Sequence, residues 1–339
     1  MKIVIDDKIP YIRGNAEQLG ECIYLPGSSI TADDVRDADA LIIRTRTHCD
    51  EALLRGSKVR FVATATIGYD HIDRAAMGRL GIHWTNCPGC NATSVAQYVD
   101  TVILAAQEEQ ILPRGPLTIG IIGAGHVGSA VSRLLASRHH RILLNDPPLQ
   151  LRGQSGFVSL KQIGEEADVV TLHTPLSHSK LFPTYHLAKR LFFWRLMRRP
   201  LFINSSRGGC MSTPSVVEAL RTKKIRAAAI DTWENEPQID MKLLQAAWIA
   251  TPHIAGYSAD GKANATRMAL EAVARFFGKE CNFSIAPPAL PDGFCYDAGH
   301  APGCEPLRLY DPRCDSRRLK AAPDQFEALR GNYPLRREM

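Results

Sequence analysis

Short apolar runs recur through the first ninety residues, at 3–5, 22–25, 40–43, 60–63 and 82–85, with more polar stretches of helical texture at 31–38, 50–55 and 71–80 between them. Continuous apolar runs, as opposed to strict alternation, mark strands covered on both faces, and their alternation with helices predicts a parallel α/β unit. A long segment, 92–110, reads as one helix capped by Asn91 and carries the chain into a second such unit. Strands are predicted there at 117–122, 141–145, 168–172, 201–204, 227–230 and 248–250. Another helical stretch, 259–277, is expected to return to the first unit. From Cys281 the pattern breaks at Pro287, Pro288, Pro291, Pro302 and Pro306, and only 324–330 reads as a short helix. The predicted fold class is α/β: two Rossmann/flavodoxin-like parallel-sheet domains with a cleft between them, plus a short C-terminal arm. The expected divisions are 1–93 with 259–280 as a substrate domain, 94–258 as a nucleotide domain, and 281–339 as the arm. The arm is too small and polar to build a core of its own and is expected to pack on another surface.

Composition narrows the class. The chain has 339 residues, 45% of them hydrophobic and 22% charged, as in ordinary globular proteins large enough for two cores. No apolar run approaches the ~18–20 residues of a membrane span, so no membrane partner is expected. Met1 to Ile5 reads as a strand instead of a signal peptide, which makes a cytoplasmic enzyme the expectation. The formal charge of +6 raises the question of nucleic acid. Much of it lies in Lys189, Arg190, Arg195, Arg198 and Arg199, and in tail residues such as Arg313, Arg330 and Arg336. These read as solvated faces, and a phosphate-bearing substrate suits the remaining positive field better than DNA. The basic 189–199 segment has no functional account. Nine scattered cysteines suit a reducing compartment. Cys87-Pro88-Gly89-Cys90 reads as a Pro-Gly turn that two cysteines flank, and no Cys/His spacing suggests a metal site.

The strongest motif is Gly123-Ala124-Gly125-His126-Val127-Gly128. It follows the strand at 117–122 and opens a segment with Val127, Val131, Leu134 and Leu135 at helical spacing. Three glycines in this context permit a tight turn, close approach to a pyrophosphate and close helix packing, and the helix N-terminus adds unpaired N–H groups. The next strand delivers Asp146, whose carboxylate would grip ribose hydroxyls and repel a 2′-phosphate. NAD is therefore predicted over NADP.

Three further segments fall at predicted strand ends, where open α/β sheets bind ligands. They are Ile203-Asn-Ser-Ser-Arg207-Gly-Gly, Asp231-Thr-Trp-Glu-Asn-Glu236-Pro and Thr251-Pro-His253-Ile-Ala-Gly256-Tyr257. An arginine fork can grip a carboxylate and polarise a developing carbonyl. A histidine can take the hydroxyl proton of a 2-hydroxy acid, with a glutamate to orient it. His173 and His186 are expected nearer the cofactor-binding helices and without an acid partner.

These segments resemble the D-2-hydroxyacid dehydrogenase family, which uses an Arg, a Glu and a His in those roles. The resemblance extends through Ile43-Arg-Thr-Arg-Thr47, Thr64-Ala-Thr66, Asn145-Asp-Pro-Pro148, His173-Thr-Pro-Leu176 and Thr184-Tyr-His-Leu187. It implies that Arg207 and Glu236 are catalytic, with His253 the proton donor or acceptor. It implies NAD contacts at Asp146, Thr174, Ser205, Ser206, Arg207, Asp231 and Gly256, besides the glycine loop, and substrate contacts at Thr45, Thr66 and Tyr257. The partner implied is a small phosphorylated 2-hydroxy acid, with Lys8, Arg44 or Arg46 as candidates for its phosphate. Fragments at 309–313 and 332–337 resemble the family's dimerisation domain in shortened form and imply a homodimer. The competing readings are a relative acting on another acid, such as 3-phosphoglycerate, and a non-catalytic NAD-sensing scaffold.

Overall fold

The computed structural model describes residues 1–290 and 305–338. Cys295, Cys304, Pro291 and Pro302 lie outside the described residues. The chain forms two compact units, Met1–Asn91 with Ser258–Ala289, and Ala92–Tyr257 with Leu290–Met339.

The first unit holds five parallel strands, β1 (Lys2–Asp6), β2 (Glu21–Leu25), β3 (Ala40–Ile43), β4 (Phe61–Thr64) and β5 (His83–Thr85), in the order β2-β1-β3-β4-β5. That is the flavodoxin-like order. All four residues of β3 and of β4 are buried, as their unbroken apolar sequence requires. One face is covered by the helix Ala259–Phe276, whose Ala265, Ala269, Leu270 and Val273 join Ile3, Ile5 and Ile42 in one cluster. Ser258 starts this helix, its Oγ accepting from the Gly261 N–H at 2.8 Å. Phe283 also enters this cluster, so the residues just past Cys281 pack with the first unit instead of opening a separate arm.

The second unit holds β6 (Thr118–Ile122), β7 (Arg141–Asn145), β8 (Val169–Leu172), β9 (Leu201–Asn204), β10 (Ala227–Ile230) and β11 (Ile249–Ala250), ordered β11-β10-β9-β8-β6-β7. A single parallel bridge between Leu144 and Phe157 extends the sheet beyond β7. Counting that bridge as a reduced third strand, the order is the doubly wound 3-2-1-4-5-6 pattern with one strand more. The chain reverses direction across the sheet between β6 and β8, which places the glycine loop at the topological switch point. The helix Ala92–Glu108 packs in this unit and is buried along nearly its whole length, including Gln97, Asp100 and Thr101. Asp100 is held by Arg138 at 3.0 Å.

The C-terminal segment also belongs to this unit. Its helices Glu305–Leu309, Pro312–Ala321 and Phe326–Gly331 seat Leu307, Tyr310, Leu319, Phe326 and Tyr333 in buried positions. Much of the docking is polar. Ser316 Oγ accepts from the Ala250 N–H at 3.0 Å, and Lys320 donates to the Ala247 carbonyl at 2.5 Å. Arg336, 1% exposed, donates to the carbonyls of Ser94, Ile254 and Ala255 and lies over the Tyr310 ring. The helix Pro312–Ala321 escapes an apolar-periodicity search because Asp315 and Ser316 are among its buried positions and its N-cap, Asp311, is buried too. Among the described residues no helix is long and apolar enough to cross a membrane.

Candidate active site

The loop after β6 is built around two glycines that tolerate no side chain. At Gly123 (φ +94°) a Cβ would stand 2.7 Å from the His173 backbone. At Gly128 it would stand 1.9 Å from the Gly123 carbonyl oxygen. Gly125 differs: a Cβ there would meet nothing within 4 Å, although Gly125 is the N-cap of the helix His126–Ser137. A helix N-terminus with open space before it, carrying no side chain, is a cradle for an anionic group. Gly125 and His126 are exposed, and Val127 is half-buried against the core. Asp146, at the end of β7, accepts from the Ala124 N–H at 2.9 Å and from the Leu149 N–H at 3.0 Å. It thus ties the glycine loop to the next helix and stands half-buried beside it.

Further groups converge on the ends of β8 and β9. Thr174 Oγ1 reaches Cys210 Sγ at 3.5 Å. Ser206 Oγ donates to Asn204 Oδ1 at 2.8 Å, whereas Ser205 Oγ is buried with no hydrogen-bond partner among the described residues. A buried hydroxyl without a partner is costly, and its position is consistent with a ligand group completing it. The open cradle and this orphan hydroxyl fit the dinucleotide that the motif predicts.

Arg207 follows, half-buried, with Nη1 donating to the Ser206 carbonyl at 2.8 Å. Its loop is pressed against the loop after β10, since a Cβ on Gly208 would stand 1.8 Å from the Trp233 carbonyl oxygen. That second loop carries Glu236, and the loop after β11 carries His253. His253 Nδ1 meets Glu236 Oε1 at 2.6 Å, with both side chains 24% exposed. Nε2 of His253 has no hydrogen-bond partner among the described residues. Burial pushes the Glu236 carboxyl up, but the hydrogen bond and charge of His253, the charge of Arg330 and the Trp233 N–H outweigh it. The group therefore titrates below the ordinary glutamate value.

His253 sits in the left-handed region (φ 56°), an uncommon conformation for a residue with a side chain. Its loop is held there from beneath. Its N–H donates to the Asp231 carbonyl at 2.9 Å. Asp231 Oδ1 accepts from Thr251 Oγ1 at 2.7 Å and from the Ile254 N–H at 2.8 Å, and Oδ2 from the Ala255 N–H at 3.0 Å. Burial pushes the Asp231 carboxyl up against these donors. In this chain Asp231 shapes the histidine loop, a task its sequence position did not suggest. Gly256 and Tyr257 end the same loop, half-buried.

The expectation that no other histidine has an acid partner is wrong. His186 Nε2 meets Glu234 Oε1 at 2.6 Å, and Glu234 Oε2 also accepts from the Thr213 N–H at 2.7 Å. The left-handed turn at His186 (φ 50°) folds the 174–188 loop back so that its N–H reaches the Gly209 carbonyl. Sequence spacing gave no sign of that fold-back. His186 also stacks on Tyr185 at 4.0 Å. His173 is a core residue: Nε2 pairs with Thr171 Oγ1 at 2.9 Å, and burial pushes its pKa down to about 3.

The first unit holds the remaining residues. Thr45 is exposed after β3, and Thr66 Oγ1 donates to the Gly68 carbonyl at 2.8 Å, in contact with Thr64 Oγ1 at 2.7 Å. Arg44 Nη1 donates to the Lys8 carbonyl at 3.0 Å, so both lie at one strand end, with Arg46 exposed nearby. Cys87 and Cys90 are buried and not joined in a disulfide, and burial pushes the Cys87 thiol up to about 12, as suits a structural turn.

Sequence reasoning missed two functional candidates in the C-terminal segment. Arg330 lies over the Tyr257 ring, its Cζ 5.8 Å from the centroid. Arg336 binds the carbonyls of the histidine loop itself. Arg330 belongs to no local motif, and the 332–337 fragment that contains Arg336 pointed to assembly, not to the histidine loop.

Comparison with known proteins agrees with this geometry. Residues 92–255 match the model of the D-isomer specific 2-hydroxyacid dehydrogenase NAD-binding domain. The whole chain is 50% identical to the erythronate-4-phosphate dehydrogenase of Bacteroides fragilis, covering 97% of that protein. It is 40% identical to that of Porphyromonas gingivalis, covering 94%. Among solved structures, NAD+-bound 3-phosphoglycerate dehydrogenase of Entamoeba histolytica shares the fold, with a TM-score of 0.66 and 22% identity over 82% of this chain and 95% of that one.

Proposed function

Because the chain belongs to the erythronate-4-phosphate dehydrogenases, within the D-isomer-specific 2-hydroxyacid dehydrogenase family, we propose that it oxidises 4-phospho-D-erythronate to (R)-3-hydroxy-2-oxo-4-phosphobutanoate in pyridoxal 5′-phosphate biosynthesis. The observation that supports this reading best is the contact of His253 Nδ1 with Glu236 Oε1 at 2.6 Å. It commits one ring nitrogen to the carboxylate and leaves Nε2 to take a proton. NAD, when bound, supplies the acceptor for the hydrogen that leaves C2 with its electron pair. The residues that would hold it are Gly123, Gly125, His126, Val127, Gly128, Asp146, Thr174, Ser205, Ser206, Arg207, Asp231 and Gly256.

As the C2–H bond breaks, the O–H electron pair becomes the second C–O bond and the hydroxyl proton passes to His253 Nε2. Glu236 stabilises the imidazolium that results. The Arg207 fork holds the substrate carboxylate and polarises the developing carbonyl. Thr45, Thr66 and Tyr257 offer hydroxyls to a polyhydroxy acid, and Lys8, Arg44 and Arg46 offer charge to its phosphate. The protein works in the cytoplasm as a homodimer, which sedimentation of the full chain would check.

NADH formation on a panel of phosphorylated 2-hydroxy acids tests the assignment. The highest kcat/KM is expected with 4-phosphoerythronate; faster oxidation of 3-phosphoglycerate would replace it. H253Q should abolish turnover while NAD still binds, and ordinary turnover by H253Q would remove His253 from its role.

A further inference from the structure

We propose that Arg330, in the C-terminal helix Phe326–Gly331, is a positioning residue for the Glu236–His253 pair, an inference that rests on the oxidation proposed above. Its guanidinium hydrogen-bonds the Tyr257 side chain and lies over that ring, with Cζ 5.8 Å from the centroid. Tyr257 ends the loop that carries His253, and Tyr333 of the same C-terminal segment backs it edge-on, ring centroids 6.2 Å apart. Arg330 is not consumed by its own helix. Glu327 stands 4.0 Å away, and Nε is buried with no hydrogen-bond partner among the described residues.

Glu236 faces His253 and Arg330, His253 faces Glu236 and Asp231, and Arg330 faces Tyr257, Glu236 and Glu327. Burial disfavours the Arg330 charge, but Tyr257 and Glu236 more than offset it, and the group stays cationic. A fixed cation on this side of Glu236 has two consequences. It keeps the carboxylate ionised, so that the carboxylate can hold the His253 ring. It also opposes a second positive charge on that ring, and so favours the neutral ring, the form that accepts the hydroxyl proton.

Removing the Arg330 charge makes imidazolium easier to form, so the rising limb of kcat/KM for oxidation moves to higher pH. The limb should move by roughly half a unit or more, the scale of charges that interact without direct contact. A lysine keeps the charge without the planar fork.

In the full-length chain, R330Q should therefore show an alkaline shift of the limb together with a severalfold fall in kcat and little change in KM for 4-phosphoerythronate. R330K should keep the limb near that of the unmodified protein. A limb in R330Q that coincides with the unmodified protein's, or a shift in R330K as large as in R330Q, would overturn the proposal, since a merely structural residue does not follow charge. Should R330Q fail to fold, R330A is read by the same criteria. NMR titration of the His253 ring in the same proteins gives a readout independent of turnover. If 4-phosphoerythronate is not oxidised at all, the functional assignment falls, while the ring titration still decides whether Arg330 acts on the pair: an unmoved titration refutes it and an alkaline shift supports it.

Discussion

His253 and Glu236 act on each other in both directions, which makes their variants easy to tell apart. Replacing Glu236 by Gln removes the charge that favours imidazolium, so the rising limb for oxidation should move to lower pH, by about a unit for a pair in direct contact. That is opposite in sign to the shift expected on removing Arg330. A limb unmoved in E236Q would show that the 2.6 Å contact does not persist in the working enzyme. The same carboxylate has a stability signature. Its folded pKa lies below the ordinary value, so the stability it contributes is complete above the unfolded pKa and is lost as pH falls through the folded one. Melting curves of the unmodified protein and E236Q should accordingly converge toward acid pH. Arg207 makes a different demand. An ammonium keeps charge but not the fork, so Arg207→Lys should lower turnover roughly a hundredfold, the scale of a misplaced substrate. A change confined to KM would reduce Arg207 to a binding role. The sequence pointed to His253, because it lies in a strand-end segment together with Gly256 and Tyr257, and the structure pairs it with Glu236. It did not show that His186 also has an acid partner, because Glu234 and His186 meet only through the fold-back of an irregular loop.

The glycine loop shows at the scale of one element why three glycines in a motif are not equivalent. Gly128 is excluded from carrying a Cβ by the Gly123 carbonyl at 1.9 Å, a backbone atom that cannot step aside. Gly128→Ala should therefore destabilise the second unit, by about 2 kcal/mol on the scale of overpacked interiors. Gly125 faces open space. Gly125→Ala should leave the melting temperature nearly unchanged and still weaken NAD binding tenfold or more, because the methyl would occupy the space the ligand needs. Tight NAD binding by a stable G125A protein would place the pyrophosphate elsewhere. Asp146 combines two tasks, since it caps the Leu149 N–H as well as standing where a ribose is expected. Asp146→Ala should cost about 1 kcal/mol of stability and narrow the preference for NAD over NADP, which titration with both nucleotides would show. The strands and the two long helices were legible because apolar periodicity reports burial, and both sheets are buried on both faces. The helix Pro312–Ala321 was not, because a surface on which Ser316 and Lys320 bind backbone groups and Asp315 accepts from the Tyr333 hydroxyl leaves no apolar period to read.

For the whole chain, the C-terminal segment changes the expected result of truncation. Proline content and polarity point to an arm that could be cut after about Gly278 to leave a folded, NAD-binding protein altered only in association. Its described residues are instead built into the second unit. Tyr310 and Tyr333 belong to the cluster that includes Ile119, Ile121 and Val131, while Leu319 and Phe326 belong to the one on the opposite face of the sheet. Arg336 donates to two carbonyls of the loop that also carries His253, so that loop is gripped by Asp231 through its N–H groups and by Arg336 through its carbonyls. Removing Arg336 takes a charged donor from the buried carbonyls of Ser94, Ile254 and Ala255, although Ile254 keeps the Tyr257 N–H and Ala255 keeps Ser94 Oγ. Removal of the segment also exposes several large apolar side chains, each of which contributed about 1.5–3 kcal/mol by burial. Against the 5–15 kcal/mol that holds a typical domain together, such a loss is decisive. A chain ending near Gly278 should therefore fail to give a cooperative melt and should not bind NAD. R336M in the full chain should fold with reduced stability and lose turnover more than NAD affinity, because the histidine loop after β11 loosens while the glycine loop, at the end of β6, keeps its own contacts. If the truncated chain instead melts cooperatively and binds NAD as the full chain does, the C-terminal segment is an appendage after all, and the positioning role given to Arg330 falls with it.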